Sequence, residues 1–534
     1  MKRRDFLLNT IPAAAVLPEM IDGYTVKAFN ANSPLVQALM RGDTLTDHVL
    51  VIIQLSGGND GMNMVIPVAD YSNYFNARSN IAIPQNRVLG ITGVNGTGLH
   101  PSMTGLQSLF AEGKAKLVQA VGYPQPNFSH FRATDIWMSA SNSNQEVYTG
   151  WTGRYLNYEF PNFPNNYPNP DAPDPLAIQI GSTTTLTTQG PVVNMGMSIT
   201  NPTTFYNLVS GVTDPVPNTP AGKELSFIRT VNQQTQKYAT VIRGAANNVP
   251  TQGTYPSNNT LADQLKIVAR LVKGGLKTRV YMVSFGGFDN HSVQTQADTT
   301  TGTHATLLQR VSDAIKAFQD DLRGLGVEDR VIGMTYSEFG RRIKSNSSTG
   351  TDHGAAAPLF LFGSGIEPGM LGVNPTIPVN VTVNDNVPMQ YDFRSIYATI
   401  LEKWFCLDKT VVDSLFPAGI NAQLQSLPLI KPGLCSGITP PPPPVPASDK
   451  IIWNYPHPFA HNTDISFKTQ GGHTLVQVFD TLGRLLVTLV EKDYPTATTD
   501  KITFVAEGLP TGIYYARFQN GVTQAVWPML KVRE

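Results

Sequence analysis

Residues 435–450 read CSGITPPPPPVPASDK. A run of prolines fixes φ, removes backbone donors and settles into extended polyproline II, which holds its two flanks apart. One continuous core cannot be built across it, and 534 residues is already long for a single core. The chain is therefore expected to divide into a body over 44–430, a linker over 431–450 and a tail over 451–534. The two sides also differ in pattern. The tail carries short alternating runs (DISFKT, TLVQVFD, RLLVTLV, KITFVA, GIYYARF) separated by Gly, Asp and Asn. Runs of this length and spacing predict a small all-β sandwich.

The body alternates apolar strand-like runs with helical periodicity. HVLVIIQL (48–55), KLVQAVG (116–122), RVYMVSF (279–285), RVIGMTY (330–336) and PLFLFG (358–363) read as strands. Between them, 261–275 places Leu265, Val268, Leu271 and Val272 on one helical face. Leu307, Leu308, Val311, Ile315, Phe318 and Leu322 do the same further on. Such alternation predicts an α/β fold, a mainly parallel sheet with helices on both faces. The Pro-, Asn- and Thr-rich stretch 160–256 fits neither period and is read as an insertion or lid.

The charge balance, 39 basic against 39 acidic residues, offers no field for nucleic acid or an anionic membrane surface. After the N-terminus nothing is long and apolar enough to read as a transmembrane span. The first residues, MKRRDFLLNTIPAAAVLP, set Arg3 and Arg4 before a short apolar stretch. They resemble a twin-arginine export signal over 1–30; the other reading is a basic start before a buried helix. The two cysteines, Cys406 and Cys435, either bridge in an oxidising compartment or stay free; no His stands at ligand spacing from them.

In open α/β sheets ligands sit beyond the carboxyl ends of the strands, and there the body places its polar clusters. Gly57-Gly58-Asn59-Asp60-Gly61 follows the first strand. Asp289-Asn290-His291 follows 279–285, and Ser337-Glu338-Phe339-Gly340-Arg341-Arg342 follows 330–336. Thr351-Asp352-His353-Gly354 precedes 358–363. Carboxylate oxygen and neutral imidazole nitrogen suit a divalent metal such as Zn²⁺, Mn²⁺ or Fe²⁺. The candidate ligands are Asp60, Asp289, His291, Glu338 and His353; the alternative is a hydrogen-bonded structural rim. Ser129, in PNFSHFRATDIW, stands where a helix should begin. It is either a nucleophile favoured by free helical N–H groups or a helix cap with His130 hydrogen-bonded nearby. Arg341 is a candidate clamp for an anionic group. His100, in LHPSM, is a weaker candidate for the same rim.

Two resemblances follow from motifs rather than from periodicity. NYPHPFAHNTDISF, VQVFDTLGRLLVTL and LPTGIYYARF resemble the C-terminal sorting domain of the type IX secretion system, with Asp480, Gly483, Gly512 and Tyr514 matching and His457 replacing the usual Asn. That implies passage through the secretion machinery to the cell surface or beyond. QLSGGNDGMN, HPSM, NFSHF, GWTGRYL, GGFDNH, SEFGRR and GTDHGAAAP, in this order, resemble domain-of-unknown-function family 1501 over nearly all of 45–430. That family looks distantly related to the alkaline phosphatase superfamily, sulfatases included, which implies one or two metals at the strand ends and a Ser or Thr nucleophile. By this resemblance Asp60 matches the first metal aspartate, Asp289 and His291 the later pair, and His353 the last histidine. Ser-Glu-Phe-Gly stands at 337–340 where the superfamily has Ser-Asp-His-Gly, so Glu338 can still ligate and Phe339 cannot; a one-metal or remodelled site is expected. The chain thus reads as an exported protein resembling metal-dependent phosphate- or sulfate-ester hydrolases. The rival is a non-catalytic surface protein that binds glycan or a partner protein through the same rim.

Overall fold

The computed structural model describes residues 46–202, 238–436 and 452–531, apart from short breaks at 162, 165–166, 192, 418, 421–423, 456–458, 481–484 and 521–522, and two short strands at 20–21 and 24–25. Residues 1–19 of the proposed export signal, the proline run itself, His457 and Gly483 lie outside the described residues.

The body is built on a nine-stranded sheet. Its strands are β1 (Val49–Ser56), β2 (Ala115–Gly122), β3 (Ala177–Ile180), β4 (Gly196–Ile199), β5 (Val280–Gly286), β6 (Val331–Tyr336), β7 (Ala357–Phe362), β8 (Gly369–Leu371) and β9 (Tyr391–Asp392). Their order is β8-β2-β7-β6-β1-β5-β3-β4, with β9 beside β2. Every pair is parallel except the two made by β7, which runs against β6 and β2. The stretch 160–256 is therefore not all insertion: β3 and β4 lie inside it and form one edge of the main sheet.

Alternate residues of β1 feed opposite faces. Val49, Val51, Ile53 and Leu55 join the core under helices α1 (Thr104–Ala111), α4 (Thr260–Lys273) and α5 (Thr303–Gly324). Leu50 and Ile52 join a second core with α2 (His130–Ser139), α3 (Trp151–Glu159) and α6 (Phe393–Lys403). Burial on both sides is why these strands read as continuous apolar runs rather than alternating ones.

Register sets where the loops emerge. Ser56 pairs with Gly286, and Gln54 with Tyr336, so β1, β5 and β6 end at one level. β2 ends at the same rim, with α2 beginning a short loop later. Because β7 runs the other way, it enters the sheet from that rim, and the segment before it, 351–356, lies among the other loops. Cys406 and Cys435 are bridged, tying the segment after α6 to the one before the proline run.

The tail forms two antiparallel sheets. Strands β10 (Ile452–Tyr455), β11 (Asn462–Thr469) and β14 (Thr498–Val505) make one. Strands β12 (Gly472–Phe479), β13 (Leu485–Tyr494), β15 (Gly512–Asn520) and β16 (Thr523–Lys531) make the other, in the order β13-β12-β15-β16. Ile465 and Phe467 from the first sheet meet Val476, Val478 and Phe518 from the second in one core. Among the described residues no helix is long and apolar enough to cross a membrane.

Candidate metal centre

The loops after β1, β5 and β6 can meet only if the backbone approaches closely. At Gly57, with φ +120°, a Cβ would fall 2.5 Å from the amide nitrogen of Asp289. At Gly58, with φ +68°, it would fall 2.2 Å from the Phe339 ring. Any side chain at either position would push the β1 loop off the β5 or β6 loop.

Arg341 joins these loops. It is buried, with Nε donating to Gly58 O, Nη1 to Thr351 O, and Nη2 to Gly57 O, Phe288 O and Asp289 Oδ1. This corrects the expectation of an anion clamp: the donors are spent on the protein, and Arg341 is a brace that fixes the rim.

On this brace three imidazoles face one carboxylate oxygen. Asp289 Oδ1 lies 3.1 Å from His291 Nε2, 3.3 Å from His353 Nε2 and 3.5 Å from His130 Nε2. The Nε2 atoms of His291 and His353 are 2.9 Å apart. Each ring is held from behind. His130 Nδ1 is 2.7 Å from Glu338 Oε1, His353 Nδ1 is 2.8 Å from the carbonyl of Phe128, and His291 Nδ1 is 3.2 Å from Asp352 Oδ1. All three partners are acceptors, so each Nδ1 carries the hydrogen when the ring is neutral and each Nε2 turns a lone pair inward. The Nε2 of His130 is buried and has no hydrogen-bond partner.

Charge follows the same plan. Burial opposes ionisation of Asp289, yet the hydrogen bond and charge of Arg341, with His353 and His291, bring its pKa down to about 2. Burial lowers the pKa of His353, keeping that ring neutral. Glu338 is buried and accepts both from Gly57 N, at 2.9 Å, and from the His130 ring. It therefore stands behind a histidine rather than among the converging atoms. Phe339 is buried as well, its ring 4.9 Å from that of His130 and 4.6 Å from that of His353.

Of the residues picked out by sequence, Asp289, His291 and His353 meet, with Glu338 one layer back. Asp60 does not join them. It is buried, with both carboxylate oxygens 2.8 Å from Arg78 Nη1 and Oδ2 2.7 Å from Gln294 Nε2. A guanidinium takes the place of a metal there, which removes Asp60 from the ligand set. Ser129 is exposed at the N-cap position of α2 and makes no side-chain capping bond. His100 is buried on another contact, its Nδ1 accepting from Ser102 N at 3.1 Å. His130, which the sequence offers only as a hydrogen-bonding neighbour of a Ser129 cap, is the residue missing from the candidate ligands. Its signal was position: it follows the end of β2 as the other clusters follow theirs.

The donor set fits a small divalent cation. One ion bonded at about 2.1 Å to each ligand separates neighbouring ligand atoms by about 3.0 Å in octahedral and about 3.4 Å in tetrahedral geometry. The three separations from Asp289 Oδ1, 3.1 to 3.5 Å, and that between His291 and His353 Nε2, 2.9 Å, lie near that interval. His130, Asp289 and His353 also stand out as a group whose donor atoms all lie within 4.8 Å of one another.

Residues 222–416 match the profile of a family described as a protein of unknown function, DUF1501. Among curated proteins none matches the sequence. Among solved structures, a sulfatase from Pseudoalteromonas sp. shares 9% identity over 88% of this chain and 86% of its own, with a TM-score of 0.32. A protein described with the metabolism of multiple glycosaminoglycans by Bacteroides thetaiotaomicron shares 10% identity over 83% of this chain and 89% of its own, with a TM-score of 0.33. Scores at this level carry no argument about chemistry. Residues 454–529 match the secretion system C-terminal sorting domain, and this tail marks the chain for export to the cell surface or the extracellular space.

Proposed function

We propose that His130, Asp289, His291 and His353 bind one divalent cation and that the exported protein hydrolyses phosphate or sulfate esters. The carrying observation is the convergence of three inward lone pairs on Asp289 Oδ1. Arg341 reaches Asp289 Oδ1 at 2.7 Å and His291 Nε2 at 3.4 Å from one side only, and the repulsion left among these four acceptor atoms favours a cation between them. Acceptors behind metal-bound histidines fix ring orientation and raise basicity, and Glu338, Asp352 and the Phe128 carbonyl take that part. When bound, the cation supplies Lewis acidity toward an ester oxygen.

The remaining roles belong to the chain. Arg341 holds the loops in register and keeps Asp289 ionised. Ser129 is the proposed nucleophile: its hydroxyl is exposed beside His130, at the helix end where free N–H groups favour an anion. Phe339 excludes water from behind the two rings it touches.

The test pairs metal analysis with turnover of 4-nitrophenyl phosphate and 4-nitrophenyl sulfate. Ser129→Ala should abolish turnover and leave bound metal unchanged. The rival reading is supported by the full engagement of Arg341, which leaves that cation unable to grip an anion. Bound metal with no turnover of either ester in the unaltered protein would favour it.

A further inference from the structure

Residues 128–130 supply three consecutive parts of the rim. The Phe128 carbonyl holds His353 Nδ1 at 2.8 Å, Ser129 is the proposed nucleophile, and His130 turns its Nε2 toward Asp289 Oδ1. One backbone conformation has to serve all three, and the segment before them builds it. Pro124 and Pro126 fix their own φ. Gln125, between them, stands at φ +54°, a region that a residue with a Cβ keeps only where its surroundings hold it. This turn carries Asn127 back onto Tyr123, the residue after β2. The buried Tyr123 hydroxyl accepts from Asn127 N at 3.2 Å and donates to Asn127 O at 3.4 Å. Asn127 Oδ1 in turn accepts from Ser129 N at 2.9 Å, the bond an Asn makes to the N–H two residues on. The N–H of Ser129 and the C=O of Phe128 belong to one planar trans peptide and point in opposite directions. Anchoring that N–H on Asn127 therefore aims the carbonyl the other way, at His353.

We propose that Asn127 is a positioning residue for the metal centre: by holding the Ser129 N–H it turns the Phe128 carbonyl onto His353, which keeps the hydrogen on Nδ1 and the Nε2 lone pair inward. The Tyr123 hydroxyl is its anchor. The purpose of this device rests on the metal-centre reading, whereas the ring's tautomer can be read without any metal.

Long-range hydrogen–nitrogen correlation spectra of the full chain, metal-free at about pH 8 where the rings are neutral, report which imidazole nitrogen carries the hydrogen; His353→Gln identifies the His353 signals. The unaltered protein should show His353 in its Nδ1–H form. Asn127→Ala should shift it toward a mixture of the two neutral forms. Asn127→Asp, which keeps an oxygen for the Ser129 N–H, should restore the Nδ1–H form. Tyr123→Phe keeps the buried ring, deletes only the anchor, and should shift the ring in the same direction as Asn127→Ala but less. With zinc added, Asn127→Ala should bind about 10- to 100-fold more weakly with unchanged circular dichroism, and Asn127→Asp should recover most of that loss. An unchanged His353 tautomer in Asn127→Ala, or an unchanged zinc affinity where the unaltered protein binds zinc, would overturn the proposal. Equal losses in Asn127→Asp and Asn127→Ala would overturn it too, by assigning the effect to general damage. A tautomer shift in Asn127→Ala when the unaltered protein binds no zinc would sink the metal-centre reading and leave the aiming of the carbonyl standing.

Discussion

Asp60 and Asp289 follow the carboxyl ends of adjacent strands, β1 and β5, yet they have opposite surroundings. Asp60 is 2% exposed, and Arg78, itself fully buried, answers its charge with contacts at 2.8 Å. The side chain of Asp289 is 49% exposed, and its Oδ1 faces three imidazole nitrogens besides Arg341. Arg78 takes both oxygens of Asp60, and that carboxylate becomes part of the framework. Arg341 takes Oδ1 of Asp289, but three imidazole nitrogens crowd the same oxygen and half the side chain is exposed, so this carboxylate keeps capacity to bind something. The first arrangement should matter for folding and the second for ligand.

The sharpest way to break this contrast is to remove each carboxylate. Asp60→Ala strands the buried Arg78 guanidinium and should cost about 3–5 kcal/mol of stability. Asp289→Asn keeps an acceptor for Arg341 at a half-exposed position and should stay within about 1 kcal/mol. Denaturant midpoints measure both, and equal losses would erase the distinction.

The framework side should also respond to acid. His304, buried with Nε2 2.9 Å from Asn59 Oδ1, has its pKa lowered to about 4 by burial, although Asp60 opposes this. Burial likewise lowers His100 to about 3, with His304 adding to the effect. A histidine whose folded pKa is depressed takes up its proton first in the unfolded chain. Stability should therefore be full at neutral pH and fall as pH drops through the ordinary histidine range toward 4. His304 alone contributes about 3 kcal/mol at that limit, at about 1.4 kcal/mol per unit. An unfolding midpoint unchanged between pH 7 and pH 4 would contradict this.

A smaller effect sharpens the ligand side. Asp352 holds His291 Nδ1 and also receives Asn346 Nδ2 at 3.2 Å. Asp352→Ala should weaken metal binding by about 10- to 100-fold and leave the fold intact. A titration with zinc against a chromophoric competitor reads the difference. Unaltered affinity would mean that His291 needs no support from behind.

The same contrast explains what the sequence could disclose. Strands β1, β5, β6 and β7 were legible because burial on both faces makes them unbroken apolar runs, and their ends located the Asp289, His291, Glu338 and His353 loops. β3 and β4, four residues each in a Pro- and Thr-rich stretch, are too short to show a period. Asp60 looked equivalent to Asp289 because strand ends alone say nothing about the charge opposite. Arg78 arrives from a helix at Tyr71–Arg78 that carries no motif of its own. Arg341 was placed correctly at the rim, but its burial under three loops depends on the close approach at Gly57 and Gly58. His130 was written in the chain beside Ser129, and only the convergence in space separates it from an ordinary helix-start histidine.

The central claim is that the rim cluster is a metal site, and metal stoichiometry tests it most directly. The full chain, stripped with chelator and dialysed against zinc, manganese or ferrous iron, should retain close to one equivalent of at least one of them. His291→Ala, which alters a side chain 45% exposed, should lose that equivalent while its circular dichroism and unfolding midpoint stay the same. An unaltered protein that retains none of the three metals, or a His291→Ala variant that keeps the full equivalent, would contradict the account.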